Sequence, residues 1–378
     1  MNKTTKKHKE YDWKMKQNGE TLNFLKNLET YGIPSTDCVV YHHGKCVFRY
    51  KSGYSDAART KPIDGSERYN LYSCSKVITC TAALQLVEQD IIRLDDAVYE
   101  YLPEFRNMKK IVDGKLEDVR NTMTIRHLFT MTAGLTYATR SENIQRGIAE
   151  TNGTMQTREA MKYLACDPLV FEPGTCWNYS LCHDVLAAIV EVASGKRFGL
   201  YVKEKIFDPI GMKHSTFLLP DEELGEIAAQ YRFDANSGKF DCIEPKIQSY
   251  KLGTAYESGG AGCISTVDDY IAFLEGLRSG EMLLRRDTIA RMICPQISKA
   301  AEQTLNSWGV TEYSYGLGVR CPKPHGRERD YGWGGAAGAY LAIIPEQEVS
   351  LFYVQHVLSS PVQQMRKKLP DIVLLDLL

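Results

Sequence analysis

The apolar positions of this chain keep one period near its two ends and another between them. Over 38–50, Val39, Val40 and Tyr41, then Cys46, Val47 and Phe48, alternate with polar residues and break at His43-Gly44-Lys45. That pattern predicts a β-hairpin, with a helix over 21–31 before it. From Ser73 onward Val77, Ile78, Ala82, Ala83, Leu84, Leu86 and Val87 recur at helical intervals. Helical signals then dominate to about residue 232, with loops at Pro103, Gly134, Gly153, Pro168, Pro173-Gly174 and Pro209. After Gly253 the pattern is helical again, then strand-like over 315–320, 330–333, 339–345 and 349–355. Strands at both ends with helices between them predict an α+β architecture. Its antiparallel sheet is built from both termini and flanked by helices, with a mostly helical region inserted. The expected parts are a polar leader over 1–20, an α/β domain from 21–72 and 245–378, and a helical domain over 73–244.

Composition narrows the class without naming it. With 378 residues, 43% apolar and 25% charged, the chain has material for one large or two ordinary globular domains. A net charge of −1 leaves no footprint for nucleic acid or an anionic membrane. The basic start (Lys3, Lys6, Lys7, His8, Lys9) runs into Glu10-Tyr11-Asp12 and not into an apolar stretch, so no export signal is expected. No apolar run reaches transmembrane length. Eleven cysteines, an odd number without zinc-ligand spacing, fit reduced thiols in a cytoplasm. Most of them read as small buried hydrophobes, with Cys74 and Cys176 placed near the candidate pocket. No metal or organic cofactor is implied.

Chemistry enters at Ser73-Cys74-Ser75-Lys76, which opens the helical run. A serine hydroxyl is a poor nucleophile until a base takes its proton. Residues three apart share a helix face, so Lys76 can set its amine beside the Ser73 oxygen. Burial disfavours an ammonium, which predicts a neutral amine near neutral pH. The helix start adds N–H groups suited to a developing oxyanion. Trp177-Asn178-Tyr179-Ser180-Leu181 is a second candidate. A phenol beside an ammonium can relay a proton; equally, Tyr179 can be a packed ring among 22 tyrosines. The third is Gly332-Trp333-Gly334-Gly335-Ala336-Ala337-Gly338. Glycines within a strand allow close approach of a ligand or another backbone, and such a strand edge can offer an N–H to a carbonyl. A glycine-rich hairpin around a core tryptophan is the other reading.

In this order the three elements resemble the serine β-lactamase and penicillin-binding-protein superfamily, whose set includes S-x-x-K. The nearer likeness is to class C β-lactamases and the related family VIII carboxylesterases. It extends to Met123-Thr124-Ile125-Arg126-His127-Leu128, Phe171-Glu172-Pro173-Gly174, Pro209-Ile210-Gly211-Met212 and Ser258-Gly259-Gly260-Ala261-Gly262, covering roughly 25–355. The resemblance implies a β-lactamase/transpeptidase-like fold with the active site between the two domains. It implies Ser73 as acylated nucleophile, Lys76 as its activating base and Tyr179 as shared acid and base. Trp333-Gly334-Gly335 takes the place of the Lys-Thr-Gly triad, and the Ala336 N–H completes an oxyanion hole with that of Ser73.

Two departures set the expected substrate. The Tyr-x-Asn motif is here Tyr179-Ser180-Leu181, and Trp333 replaces the lysine of the triad. Loss of both polar handles removes on the order of a thousandfold in β-lactam recognition. Both changes resemble the family VIII pattern, which implies hydrolysis of small or apolar acyl esters with weak or no β-lactamase activity. The nearest alternative is an acyltransferase using the same acyl-enzyme; a catalytically silent binding scaffold and a cell-wall DD-peptidase are the others. The absent export signal counts against the peptidase. The expected partner is a small-molecule ester, with neither nucleic acid nor membrane. His127, His183 and His325 read as packed or surface histidines, with His183 worth locating because it follows Tyr179 by four residues. Tyr250, Tyr256 and Tyr315 are placed in an aromatic acyl pocket.

Overall fold

The structure is a computed structural model that describes residues 19–244, 248 and 250–377. The expected leader lies outside these residues as far as 18, and so does the expected boundary at 245. Helix α1 (Glu20–Glu29) leads into the hairpin of β1 (Ser35–His42) and β2 (Lys45–Gly53). Its turn is tight because His43 and Gly44 both take positive φ, 50° and 76°, the geometry that matches strand twist in short hairpins. The remaining strands come from the C-terminal part: β3 (Tyr313–Tyr315), β4 (Arg320–Pro322), β5 (Tyr331–Gly334), β6 (Tyr340–Ile344) and β7 (Val349–Val354). The seven form one antiparallel sheet in the order β2-β1-β7-β6-β5-β4-β3. Both ends of the chain therefore meet at the β1–β7 seam.

Alternation along these strands covers both faces of the sheet. Cys38, Val40, Leu351 and Tyr353 pack with Leu25 and Leu28 of α1 and with Leu369 and Val373 of the last helix (Leu369–Leu377). Val39, Phe352 and Val354 belong to the opposite core, where Phe352 stacks on Tyr270 at 4.3 Å. Every residue of β7 is buried, at about 1.5–3 kcal/mol for each large apolar side chain.

Helix α2 (Ser75–Glu88) is buried on every side from Ser75 to Leu86, so its neighbours and not its own amphipathicity hold it. It lies against α3 (Cys182–Ser194). Two details differ from expectation. Residues 315–320 read as one strand because Tyr315, Leu317 and Val319 alternate, yet they are the end of β3, a turn and the first residue of β4. Gly318 takes φ +87°, and a side chain on it would meet Cys80 Sγ at 2.1 Å. The region 73–244 is also less uniformly helical than its pattern suggests. It holds hairpins of Lys109–Val112 with Lys115–Asp118 and of Gln230–Asp234 with Lys239–Ile243. Among the described residues, no helix is long and apolar enough to cross a membrane.

Candidate active site

Ser73 sits in a single 3-10 turn, Tyr72–Cys74, just before α2 begins. Tyr72 ahead of it takes φ 49°, which costs a bulky residue about 1–3 kcal/mol. Its hydroxyl accepts from Gln230 Nε2 at 2.7 Å and its ring meets Tyr250 edge-on at 5.5 Å. These contacts hold the strained turn that lifts Ser73 to the cavity wall.

Lys76 follows on the first turn of α2 and is completely buried. Its Nζ lies 3.3 Å from Ser73 Oγ and donates to the Gly260 carbonyl at 2.6 Å. Tyr179 arrives from the loop before α3, and its hydroxyl makes a short hydrogen bond to Ser73 Oγ. Lys76 Nζ stands 4.6 Å from the centre of the Tyr179 ring and 5.4 Å from that of Tyr137. The Tyr179 ring stacks on Tyr137 at 5.5 Å, on Trp308 at 5.0 Å and on Trp333 at 6.0 Å. Three flat neighbours leave its hydroxyl one direction to point.

Electrostatics correct the expectation of a neutral Lys76. Burial pulls its proton affinity down, but the Tyr137 and Tyr179 phenols and the Asp184 carboxylate push it up, and the net direction is up. A buried amine loses its proton when it stands alone; this one has a carbonyl, two ring faces and a carboxylate about it. The site thus pairs Ser73 with a phenol at contact distance and a cation slightly farther off.

The glycine-rich strand is brought to Ser73 by backbone packing. A Cβ on Gly335 would lie 2.3 Å from the Leu71 carbonyl oxygen, so only glycine lets this strand end press on the turn that carries Ser73. The Gly335 carbonyl accepts from Arg366 Nη1 at 2.9 Å and from the Gly338 N–H at 3.1 Å. Across the planar trans peptide the Ala336 N–H points the opposite way. Arg366 also donates to the Ala339 carbonyl at 2.7 Å, bracing both sides of the turn. The Ser73 N–H belongs to a first helical turn, where such groups lack an intrahelical acceptor. Two N–H groups beside one hydroxyl suit an anion that forms on a carbonyl oxygen.

A cavity of about 500 Å³ opens over Ser73, Tyr179, Trp333, Gly334, Gly335 and Ala336. Its walls include Trp308, Tyr313 and Tyr340, and Arg320, Arg366 and Lys367 also line it. Arg320 is already paired with Asp330. Leu181 is absent from this lining: it caps α3 in the apolar core, 2% exposed. Tyr250, Tyr256 and Tyr315 are likewise buried outside it. Tyr250 abuts Tyr72, Tyr256 bonds to Asp184, and Tyr315 stands edge-on behind Trp333 at 5.3 Å. Trp308, which sequence reasoning missed, is 52% exposed at the rim; its stacking on Tyr179 and Trp333 marks it.

The histidines fall elsewhere. His183 is buried with Nε2 at 3.3 Å from the Phe129 carbonyl and 3.5 Å from Cys80 Sγ. Burial and the Lys76 charge push it down to about 3, so it is neutral. His127 closes a capping box with Thr124, and His325 is exposed outside the cavity lining. Cys74 is buried, its thiol pushed up to about 12 by burial, and Cys176 is half-buried. No group of three or more His, Cys, Asp or Glu side chains suited to a metal occurs among the described residues.

Known proteins resemble this chain in sequence and in fold. Esterase EstB of Burkholderia gladioli is 29% identical over 322 residues, spanning 79% of this chain and 80% of that protein. Acyltransferase mokF of Monascus pilosus is 28% identical over 290 residues, 73% of this chain and 68% of that one. The solved structure of EstCE1, described as a hydrolase with promiscuous acyltransferase activity, superposes with a TM-score of 0.75 at 23% identity, covering 94% of this chain and 98% of its own. The family model described as Beta-lactamase runs from residue 21 in α1 to residue 371 in the last helix, and the chain belongs to that family.

Proposed function

We propose that the protein is a serine ester hydrolase acting through an acyl-Ser73 intermediate. The observation that carries this is Ser73 Oγ held between the Tyr179 hydroxyl and Lys76 Nζ at the wall of an aromatic cavity. Ser73 Oγ bonds to the ester carbonyl carbon while its proton passes to the Tyr179 oxygen, in its phenolate form. Lys76, kept as ammonium, stabilises that negative charge across the ring. The N–H groups of Ser73 and Ala336 hold the oxyanion. The bond to the alcohol then breaks as Tyr179 returns the proton to the departing alkoxide. Water next gives a proton to Tyr179 and attacks the acyl carbon, and Ser73 Oγ leaves with that proton.

An alcohol in the place of that water gives acyl transfer from the same intermediate. The acyltransferase among the relatives and the dual description of EstCE1 support this second outcome. Trp308, Tyr313 and Tyr340 favour a small apolar or aromatic acyl group. Neither residue 181 nor residue 333 offers a polar handle to a β-lactam, the first because Leu181 is buried away from the cleft. Four exposed thiols, Cys46, Cys166, Cys242 and Cys294, favour a reducing, cytoplasmic compartment.

A series of p-nitrophenyl esters of increasing acyl length tests the reading. Release of p-nitrophenol is expected for short chains and should fall once the acyl group outgrows the cavity; a β-lactam tested alongside should be the poorest substrate. No release from any ester overturns the proposal. Added alcohols should divert product from acid to ester if transfer competes. A second test addresses the oxyanion hole. Gly335→Ala places a methyl 2.3 Å from the Leu71 carbonyl and must move Ala336 away from Ser73. A fall of about 10²–10³ in kcat with a smaller change in KM is expected, and unchanged kcat would show that the strand end takes no part.

A further inference from the structure

Behind Lys76 lies a carboxylate that no motif pointed to. Asp184, in the first turn of α3, is completely buried. Its Oδ1 accepts from the Tyr256 hydroxyl at 2.8 Å and from Ser258 Oγ at 2.6 Å. Its Oδ2 is buried without a hydrogen-bond donor. That oxygen faces Gly260, where a methyl group would stand 2.4 Å from Asp184 Oδ2 and 3.3 Å from Lys76 Nζ. The Gly260 carbonyl, in turn, takes the Lys76 hydrogen bond. An ammonium and a carboxylate thus face each other across one residue that has no side chain. A buried charge left alone costs several kcal/mol, and two opposite ones so placed relieve each other.

We propose that Asp184 is a positioning residue, the counter-ion that keeps Lys76 an ammonium serving Tyr179 as a fixed positive charge. This rests on Ser73 being the acylated nucleophile. Tyr179 apart, whose phenolate is the charge Lys76 serves, the other titratable groups facing Lys76 give it no anion at neutral pH. Tyr137 is raised by burial, His183 is neutral, and burial raises the thiols of Cys74, Cys80 and Cys182. The Tyr179 phenol completes the set. Asp184 is the one carboxylate among them. Without it the ammonium gives up its proton at lower pH, so the alkaline edge of Ser73 reactivity moves toward acid. Were Lys76 a neutral base, the same change would raise reactivity at neutral pH.

The experiment follows labelling of Ser73 by a fluorophosphonate, read by intact mass across pH, in the native protein and in Asp184→Asn. The alkaline edge is expected to drop by about one to three pH units in the variant. A uniformly slower reaction with an unmoved edge, or a faster one at neutral pH, overturns the proposal. Failure of the native protein to label would instead overturn the acyl-Ser73 reading, and this role with it. A thermal cycle of Asp184→Asn, Lys76→Met and the double variant supplies a readout independent of activity. The double variant, with both buried charges gone, should melt several degrees above either single one. Additive losses would show that the two charges do not meet.

Discussion

Ser73→Ala is expected to lower ester turnover to background, a loss on the order of a millionfold in kcat, while leaving the fold intact. The side chain is 8% exposed at the cavity wall, so its removal lets water reach the Tyr179 hydroxyl and leaves that group solvated. Lys76 keeps its bond to the Gly260 carbonyl, so the cation gains no new desolvation penalty. The melting temperature should therefore move by only a few degrees. Acid quenching of native protein mixed with a p-nitrophenyl ester should trap an acyl adduct on the peptide bearing Ser73, and the variant should show none. An adduct on another residue, or equal turnover by both proteins, would remove Ser73 from the chemistry. Activity that vanishes together with the folded state would be seen in the melt and would mark a structural role. Ester turnover with an adduct confined to Ser73 would distinguish an active enzyme from a binding scaffold.

The sheet and the order of the motifs were legible in the sequence for a local reason. The apolar runs at 38–41 and 349–354 come from strands buried on both faces, and the helical period after Ser73 marks a helix seated in the core. Where reasoning slipped, tertiary packing had overridden local pattern. Leu317 and Val319 alternate like strand residues, yet the chain turns there through Gly318, whose φ of +87° and close approach to Cys80 leave no room for a side chain. Asp113-Gly114 between Ile111-Val112 and Leu116 is a hairpin signal, passed over because helical stretches surround it; both residues take positive φ, 49° and 76°. Leu181 was read by its motif position, whereas the helix cap there turns the side chain into the core. The charge state of Lys76 was out of reach in another way. Its ordinary burial argument is right for an isolated amine, and the two tyrosines and the carboxylate that offset it, Tyr137, Tyr179 and Asp184, stand 61, 103 and 108 residues along the chain. Trp308 and Arg366 reach the cleft from segments carrying no motif, so only folding reveals them.

Tyr179→Phe separates the two groups that can take the Ser73 proton. The substitution removes one oxygen and keeps the ring, which remains stacked on Tyr137, Trp308 and Trp333. Cavity shape and substrate affinity should therefore change little. If Tyr179 receives the proton, acylation and deacylation both lose their relay, and kcat should fall by about 10²–10⁴ with KM nearly unchanged. If Lys76 receives it, the variant retains most of its rate. The geometry favours the first outcome. The phenol touches Ser73 Oγ directly, while Lys76 Nζ is at 3.3 Å, spends a shorter bond on the Gly260 carbonyl and is held as a cation. An ammonium has no lone pair to accept a proton. Its contribution is then a field acting through Tyr179, so Lys76→Met should add little further loss once the phenol oxygen is gone. Pre-steady-state p-nitrophenol release by the native protein, both single variants and the double variant tests this coupling. Losses that multiply would assign the lysine a separate proton-transfer role; a double variant no slower than Tyr179→Phe would place both residues on one path, with the phenol in contact with the nucleophile and the cation behind it.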